Sequence, residues 1–206
     1  MADIACRPIH AGERLTAMRA AVFLDRDGVI IENRPDHVKS WSEVRFLQGA
    51  PAAMKRLAAS PWAIVIVSNQ GVVGRGLLDE EVAWQLQRQI VAEIIAQGGR
   101  IDASYLCPHH PQAGCDCRKP APGMLLQAAA DLDLDLSRSW LIGDALTDLE
   151  AARTAGARGI LVRTGRGAEQ QSLVPESTGS FGLVVADLAA AVERILNSCG
   201  ADFYVA

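Results

Sequence analysis

Short apolar segments alternate along this chain with longer segments of helical periodicity. The apolar segments are 21–24, 62–67, 103–106, 140–142 and 159–162. The predicted helices between and after them are 49–59, 79–97, 122–134, 146–155 and 186–197. Buried parallel strands have continuous apolar sequences, and strands that alternate with helices build parallel sheets. The pattern therefore predicts an α/β fold with a central parallel sheet.

Length and composition indicate one domain and exclude a disordered chain. With 206 residues, of which 50% are hydrophobic and 21% charged, the chain is predicted to form one domain over 1–206 rather than a disordered segment. The segment 163–180 is rich in Gly, Ser, Thr and Gln and is predicted to be a surface loop. Because no coiled coil or long exposed apolar helix is evident, we expect a monomer.

Charge and hydropathy exclude two kinds of partner. The net charge is −4 and the arginines are scattered, whereas nucleic-acid binders usually carry a basic stripe. The longest apolar run, 62–67, is far shorter than the roughly 18 residues of a membrane-spanning helix. Residues 1–16 lack the apolar core of a secretory signal. We therefore expect no nucleic acid, no membrane and a cytoplasmic location.

Two carboxylates follow the first apolar segment, where Asp25 and Asp27 are separated by one residue. In extended backbone such residues point to the same side, so both side chains can converge on one ligand. Oxygen ligands of this kind suit Mg²⁺. An EF-hand calcium loop is the alternative, but the apolar segment 29–31 follows where such a loop needs oxygen ligands.

Other polar residues lie at the ends of further apolar segments. Ser68 follows the second segment, Asp144 follows the fourth, and Lys119 lies in the connection between them. In open α/β sheets, ligands bind outside the carboxyl ends of the strands. An oxygen nucleophile, metal-binding carboxylates, a hydroxyl donor and a cation together suit phosphoryl transfer.

The ordered series Asp25-x-Asp27-Gly28, Ser68, Lys119 and Gly143-Asp144-x-x-x-Asp148 resembles the motifs of the haloacid dehalogenase superfamily of phosphotransferases. The resemblance implies a Rossmann-like three-layer sandwich, with Asp25 as the phosphorylated nucleophile and Asp27 as general acid and base. It also implies that Ser68 and Lys119 hold the phosphoryl oxygens. A catalytic Mg²⁺ would be bound by Asp25, the backbone carbonyl of Asp27 and Asp144.

A cluster of cysteine and histidine residues lies between the third and fourth apolar segments. Its spacing is Cys-x-His-x5-Cys-x-Cys, formed by Cys107, His109, Cys115 and Cys117. Three thiolates and one imidazole are the ligands of a closed structural zinc site. A redox role is the alternative, but the chain has no Cys-x-x-Cys motif. We predict structural Zn²⁺ in a loop over 103–120, with His110 as the other candidate nitrogen ligand.

The sequence around these cysteines narrows the resemblance to one branch of the superfamily. Cys-Pro-His-His-Pro, and Cys-x-Cys-Arg-Lys-Pro-x-Pro-Gly-Met after it, are similar to the branch that contains heptose 1,7-bisphosphate and histidinol-phosphate phosphatases. The resemblance favours His109 over His110, spans about residues 20–166 and leaves 1–19 as an unexplained extension. It implies that no large cap domain is present and that 29–47 forms only a flap.

Five polar residues are expected to bind the substrate, a small phosphorylated sugar or related metabolite. They are Asn33, Asn69, Gln70, Arg75 and Arg118. The two arginines suit a second phosphate because guanidinium binds it in a bidentate manner. The alternative for Asn33 and for each arginine is a solvated surface side chain.

The substrate within this branch is the least constrained expectation. Arg75 and His110 favour removal of the 7-phosphate of D-glycero-D-manno-heptose 1,7-bisphosphate. The five residues between His109 and Cys115 are closer to the histidinol-phosphate type, and Ala145 stands where many heptose enzymes have Lys. Histidinol phosphate and another small sugar phosphate are the alternative substrates. A non-catalytic zinc module is the alternative from a different class.

Overall fold

A parallel sheet of six strands forms the centre of the fold, one strand more than the sequence predicts. The computed structural model describes residues 18–174 and 182–202, with side chains up to Ser198. The strand order is β3-β2-β1-β4-β5-β6, and every neighbouring pair is parallel. The strands are Ala21–Leu24 (β1), Ala63–Asn69 (β2), Ala103–Cys107 (β3), Trp140–Gly143 (β4), Arg158–Val162 (β5) and Leu183–Val185 (β6).

Helices connect these strands, and the five predicted ones are present. The helix 146–155 has its predicted ends, and the other four differ from prediction at their ends. Across the part of the chain that the structure describes, the α-helices are Ala50–Ala58 (α1), Gly71–Gly74 (α2), Glu80–Ala96 (α3), Gly123–Leu132 (α4), Leu146–Ala155 (α5), Gly167–Gln170 (α6) and Leu188–Asp202 (α7). The one-turn helices α2 and α6 were not predicted, because four residues are too few to show a helical period.

Alternating strand residues pack into two separate cores, one on each face of the sheet. Val22 and Leu24 belong to the core that α1, α3 and α7 cover. Ala21 and Phe23 belong to the core beneath α4 and α5. Strands that are buried on both faces need apolar residues at every position, which explains the continuous apolar segments of the sequence. The predicted three-layer sandwich is confirmed.

The order in which successive strands are added to the sheet reverses beside β1. The chain runs from β1 outward to β3 and then returns to β4, on the other side of β1. In open α/β sheets, ligands bind in the crevice at such a switch point. The backbone N–H of Asp25 donates to the carbonyl of Ile142 at 2.9 Å, so β4 supports the residue that enters this crevice.

The segment between β1 and α1 forms a flap, as predicted, and no large cap domain is present among the described residues. Its first three residues, Val29, Ile30 and Ile31, are fully buried. The N–H of Gly28 donates to the Ile31 carbonyl at 2.7 Å, and Ile31 forms an isolated bridge with Phe46. These contacts anchor both ends of the flap 29–47 to the body of the protein.

The prediction of a surface loop over 163–180 is wrong for 167–173, which form α6 and a 3-10 turn. The backbone N–H of Leu146, in the first turn of α5, donates to Gln170 Oε1 at 2.7 Å. This contact joins residues 24 positions apart, which a local composition cannot reveal. Residues 175–181 of the predicted loop lie outside the described residues.

Most of the predicted extension 1–19 also lies outside the described residues, but Arg19 belongs to the fold. Its backbone N–H donates to the Asp133 carbonyl at 3.3 Å, and its guanidinium lies 3.4 Å from the Asp102 carboxylate. None of the described helices is both long enough and apolar enough to cross a membrane.

Ser139 ties the start of β1 to the turn before β4. Its fully buried hydroxyl accepts a hydrogen bond from the Ala21 N–H at 2.8 Å and donates to the Asp135 carbonyl at 2.6 Å. We predict that Ser139→Ala lowers the free energy of unfolding by about 2 kcal/mol, because it leaves the buried Ala21 N–H without an acceptor. Urea denaturation followed by tryptophan fluorescence measures this loss.

Ser137→Ala is the matched control, because the exposed Ser137 hydroxyl bonds to the Asp135 carboxylate near the surface. It should change the free energy of unfolding by less than about 0.5 kcal/mol. Equal losses in the two variants would contradict the assigned role of Ser139.

Candidate functional site

A cavity of about 630 Å³ opens at the carboxyl ends of the strands. Its walls come from the end of β1, the flap, the start of α2, residues 118–120, the start of α5 and the residues after β5. These segments are far apart in the sequence and meet because the strands are parallel. The cavity therefore lies where the polar ends of the apolar segments were expected to converge.

The buried side chain of Lys119 lies at the base of this site, with 3% of the residue exposed. Its Nζ lies 2.9 Å from Asp25 Oδ1 and 2.6 Å from Asp148 Oδ1, and donates to the Val67 carbonyl at 2.8 Å. An ammonium has three N–H donors, so these three partners match its full capacity.

The charges around Lys119 are unequal. Burial lowers the pKa of Lys119, but the Asp148 and Asp25 carboxylates outweigh it and raise that pKa above its ordinary value. Burial raises the pKa of Asp148 to about 6, although Lys119 opposes the rise. The pKa of Lys119 rises because two carboxylates face one ammonium, whereas the pKa of Asp148 rises because burial outweighs its contact with Lys119. The site therefore favours a further cation.

Three buried carboxylates are close enough to share that cation. Oxygen atoms of Asp25, Asp144 and Asp148 lie within 4.8 Å of one another. Such oxygen ligands fit Mg²⁺. Asp148 already contacts Lys119, and its Oδ2 accepts from the Ala145 N–H at 3.1 Å, so we assign it a supporting role. The roles of Asp25 and Asp144 as the carboxylate ligands stay predictions.

Asp144 is confined by two glycines. A Cβ atom at either Gly28 or Gly165 would collide with the Asp144 carboxylate. The Thr164 hydroxyl donates to the Gly28 carbonyl at 2.6 Å, which holds the two glycine segments together. Gly28 also has φ +85°, a conformation that favours glycine.

Arg166 also binds Asp144 and was missed from the sequence. Its backbone N–H donates to Asp144 Oδ2 at 2.9 Å, and its guanidinium contacts both carboxylate oxygens. Burial raises the pKa of Asp144, whereas Arg166 opposes that rise. The sequence signal for Arg166 was its position shortly after β5, because the carboxyl end of β5 lies at the same edge of the sheet as Asp25.

The carboxylate of Asp27 is held by a chain of hydrogen bonds. Its Oδ2 lies 2.9 Å from both Nε and Nη2 of Arg26 and accepts from Gln70 Nε2 at 2.9 Å. The buried Arg26 donates from Nη1 to Gln87 at 3.2 Å, and Gln87 donates to Ser104 at 2.8 Å. Sequence reasoning missed Arg26 and Gln87, which act from inside the protein.

The polar residues at the carboxyl end of β2, together with Gln70 directly after it, bond mainly to other parts of the site. Gln70 also donates to the Ser68 hydroxyl at 2.8 Å. Asn69 donates to the Lys119 carbonyl at 2.9 Å and accepts from the Lys119 N–H at 3.1 Å. Asn69 and Gln70 line the cavity, but their amides support Lys119 and Asp27.

The remaining predicted substrate residues, Asn33, Arg75 and Arg118, all line the cavity. The buried Nη1 of Arg118 has no hydrogen-bond partner among the described residues. Arg75 Nη1 lies 3.1 Å from Nε2 of His37 in the flap. Burial, aided by Arg75, lowers the pKa of His37, so its neutral ring can accept this hydrogen bond.

The four predicted zinc ligands form a second cluster beside the cavity. The sulfur atoms of Cys107, Cys115 and Cys117 are 3.2–3.7 Å apart. His109 Nδ1 lies 3.2 Å from the sulfur of Cys117. Tetrahedral zinc with three thiolates has sulfur atoms about 3.8 Å apart, so the arrangement fits this metal. His110 Nδ1 instead accepts from the Gln112 N–H at 3.2 Å.

The three thiols differ in how readily they lose a proton. Burial raises the pKa of Cys107, whereas hydrogen bonds from Cys117 and nearby backbone outweigh burial and lower the pKa of Cys115. Burial and the two neighbouring thiols raise the pKa of Cys117 to about 12. The cluster also packs closely on α2, where a Cβ at Gly74 would collide with the backbone of His109 and His110. Metal binding here would therefore order the loop that leads to Arg118 and Lys119.

Comparison with known proteins identifies relatives along most of the chain. A family model described as HAD-hydrolase-like matches residues 116–191. A D-glycero-beta-D-manno-heptose-1,7-bisphosphate 7-phosphatase of Pseudomonas aeruginosa is 37% identical over 180 residues, covering 87% of this chain and 99% of that protein. The enzyme of the same name from Bordetella bronchiseptica is 39% identical over 178 residues, with 85% and 97% covered.

A solved structure shares both fold and sequence. The crystal structure of D,D-heptose 1,7-bisphosphate phosphatase from B. bronchiseptica, complexed with magnesium and phosphate, superposes with a TM-score of 0.80 and 37% identity. The match covers 87% of this chain and 99% of that one.

We predict that Lys119→Met lowers the free energy of unfolding by about 3 kcal/mol, because it leaves the buried carboxylates of Asp25 and Asp148 without their cation. The double variant Lys119→Met/Asp148→Asn should be more stable than Lys119→Met, since it removes one unpaired charge. Chemical denaturation in metal-free buffer measures both effects. Lys55→Met, on the exposed side of α1, is the control. A double variant less stable than Lys119→Met would contradict the charge argument.

Proposed function

Because the chain belongs to the haloacid dehalogenase-like hydrolases, in the branch of the heptose 1,7-bisphosphate phosphatases, we propose that it removes the 7-phosphate from D-glycero-β-D-manno-heptose 1,7-bisphosphate. The enzyme class is that of the phosphoric monoester hydrolases. The observation that carries the proposal is the placement of Asp25 between Lys119 and a cavity that Arg75 and Arg118 line. A cytoplasmic location and a monomeric state remain predictions.

Asp25 is oriented to act as the nucleophile. Its Oδ1 lies 2.9 Å from Lys119 Nζ and accepts from the Arg26 N–H at 2.8 Å. Its Oδ2 accepts no hydrogen bond from the described residues and is the oxygen that we assign to attack on phosphorus. The new Asp25 oxygen–phosphorus bond forms as the bond from phosphorus to the sugar oxygen breaks.

Asp27 exchanges the protons of both steps. It first donates a proton to the departing sugar oxygen, and it then accepts one from the water that attacks the phosphorus of the aspartyl phosphate. That second attack releases inorganic phosphate and restores the Asp25 carboxylate. Two hydrogen bonds and an ion-pair contact hold Asp27 Oδ2, so we assign proton exchange to Oδ1. The chain through Arg26 and Gln87 keeps the side chain aligned for both transfers.

The proposed metal and the cations of the site serve the phosphoryl group. Mg²⁺ would be held by Asp25, Asp144 and the Asp27 carbonyl, and it supplies positive charge against the repulsion between carboxylate and phosphate. The Ser68 hydroxyl donates to one phosphoryl oxygen, and Lys119 turns the N–H that contacts Asp25 toward another. Asp148 and the Val67 carbonyl keep Lys119 in place during this change. The magnesium and phosphate in the B. bronchiseptica structure support this assignment.

The second phosphate selects the substrate in this proposal. Arg75 and Arg118 lie in the cavity wall, with the buried Nη1 of Arg118 unpaired among the described residues. Guanidinium groups bind phosphate in a bidentate manner, so these two residues suit the 1-phosphate that remains on the product. Asn33 in the flap lines the same cavity, and we assign it to the sugar hydroxyls.

Initial rates with Mg²⁺ on the heptose bisphosphate, histidinol phosphate and an aryl phosphate test this function. We predict the highest kcat/KM for the heptose bisphosphate, with heptose 1-phosphate as the product. Asp25→Asn should retain less than about 1% of the activity because it removes the nucleophile. Asp79→Asn, at an exposed helix start, should retain it.

Three results would contradict these assignments. A higher kcat/KM for histidinol phosphate would overturn the proposed substrate, and activity retained in Asp25→Asn would overturn the nucleophile. No hydrolysis of any of the three compounds would favour a non-catalytic zinc module.

We further propose that Cys107, His109, Cys115 and Cys117 bind structural Zn²⁺. Removal of this metal should lower the Tm by about 5 °C or more and reduce turnover, because the loop positions Lys119. Thermal melting and activity after chelation measure both effects, and Zn²⁺ rather than Mg²⁺ should restore them. Cys117→Ser should lose bound zinc, whereas Cys6→Ser, outside the ligand set, should retain it. Unchanged melting after proven loss of zinc would refute the structural role.

A further inference from the structure

The guanidinium of Arg166 neutralises a carboxylate that the proposed metal also requires. Its Nη2 donates to Asp144 Oδ1 at 2.9 Å and its Nε to Oδ2 at 3.3 Å. Both oxygens of Asp144 therefore already contact one positive charge. A metal ion that binds Oδ1 competes with this guanidinium for the same oxygen, because the two positive charges repel each other.

Arg166 is the partner that can move. The Asp144 side chain is completely buried and is confined by Gly28 and Gly165, whereas half of the Arg166 side chain is exposed. The backbone N–H of Arg166 also bonds to Asp144 Oδ2. That bond can persist when the guanidinium leaves, so the loop stays in place while the side chain swings away.

The released guanidinium would remain inside the substrate cavity. Arg166 lines the same cavity as Arg75 and Arg118. A guanidinium without its carboxylate partner, in a cavity that receives a sugar bisphosphate, is suited to bidentate binding of phosphate.

We propose that metal binding displaces the Arg166 guanidinium from Asp144, and that the freed guanidinium then binds the substrate phosphate that is not cleaved. Arg166 is thus a specificity-determining residue whose availability depends on the metal. The second half of this inference rests on the proposed function, because it requires a substrate with two phosphates. The first half depends only on competition between two cations for Asp144.

Calorimetric titration with Mg²⁺, in the absence of substrate, tests the competition. Arg166→Gln should bind Mg²⁺ about fivefold more tightly than the wild type, because no guanidinium has to be displaced. Arg163→Gln is the matched control, since Arg163 lies in the same segment but its exposed Nε bonds to Gln171. Unchanged or weaker Mg²⁺ binding by Arg166→Gln would overturn the displacement.

Steady-state kinetics at saturating Mg²⁺ test whether the freed Arg166 guanidinium binds the second phosphate of the substrate. Arg166→Gln should raise KM for the heptose bisphosphate about tenfold, the loss expected for one charged hydrogen-bonded contact. KM for an aryl phosphate, which lacks a second phosphate, should change little. An equal change for both substrates, or none for either, would overturn this contact. If the proposed function is wrong, the wild-type enzyme will be inactive on the bisphosphate. The Mg²⁺ titration then still decides whether metal binding displaces the guanidinium.

Discussion

The buried ammonium of Lys119 contacts Asp25, Asp148 and the carbonyl of Val67. A charge removed from water is tolerated only when partners replace the lost hydration. Several segments of the chain must therefore be held in fixed positions around this ammonium. β1 supplies Asp25, β2 supplies the Val67 carbonyl and the start of α5 supplies Asp148. Lys119 itself comes from an irregular loop, and its position has to be secured by other means.

Two sets of contacts secure that loop. Asn69, at the end of β2, bonds to both the backbone carbonyl and the N–H of Lys119. The Cys/His cluster ends two residues earlier, at Cys117, and would be closed by the proposed zinc. A structural metal and a catalytic cation are thus linked through a short stretch of backbone. This link is the reason for our expectation that loss of the proposed zinc lowers turnover.

Much of this site was predictable because it lies at strand ends and in short-range spacings. Asp25 and Asp144 follow apolar segments, and Cys107 to Cys117 show their ligand spacing directly. The residues that were missed act through tertiary contacts. Arg166 lies in a segment whose composition predicts a surface loop. Gln87 lies on the buried face of α3, where the periodic apolar residues predict only core packing. β6 was missed because three half-buried residues at a sheet edge give too short a pattern.

Transfer of the phosphoryl group to Asp25 is the step on which the proposed mechanism depends. Turnover of the heptose bisphosphate can be stopped with acid within milliseconds, and the digested protein analysed by mass spectrometry. We predict a peptide containing Asp25 that carries one phosphoryl group, loses it on treatment with hydroxylamine, and is absent from Asp25→Asn. Rapid release of phosphate without any phosphorylated peptide, or a phosphoryl group on a different residue, would contradict the mechanism.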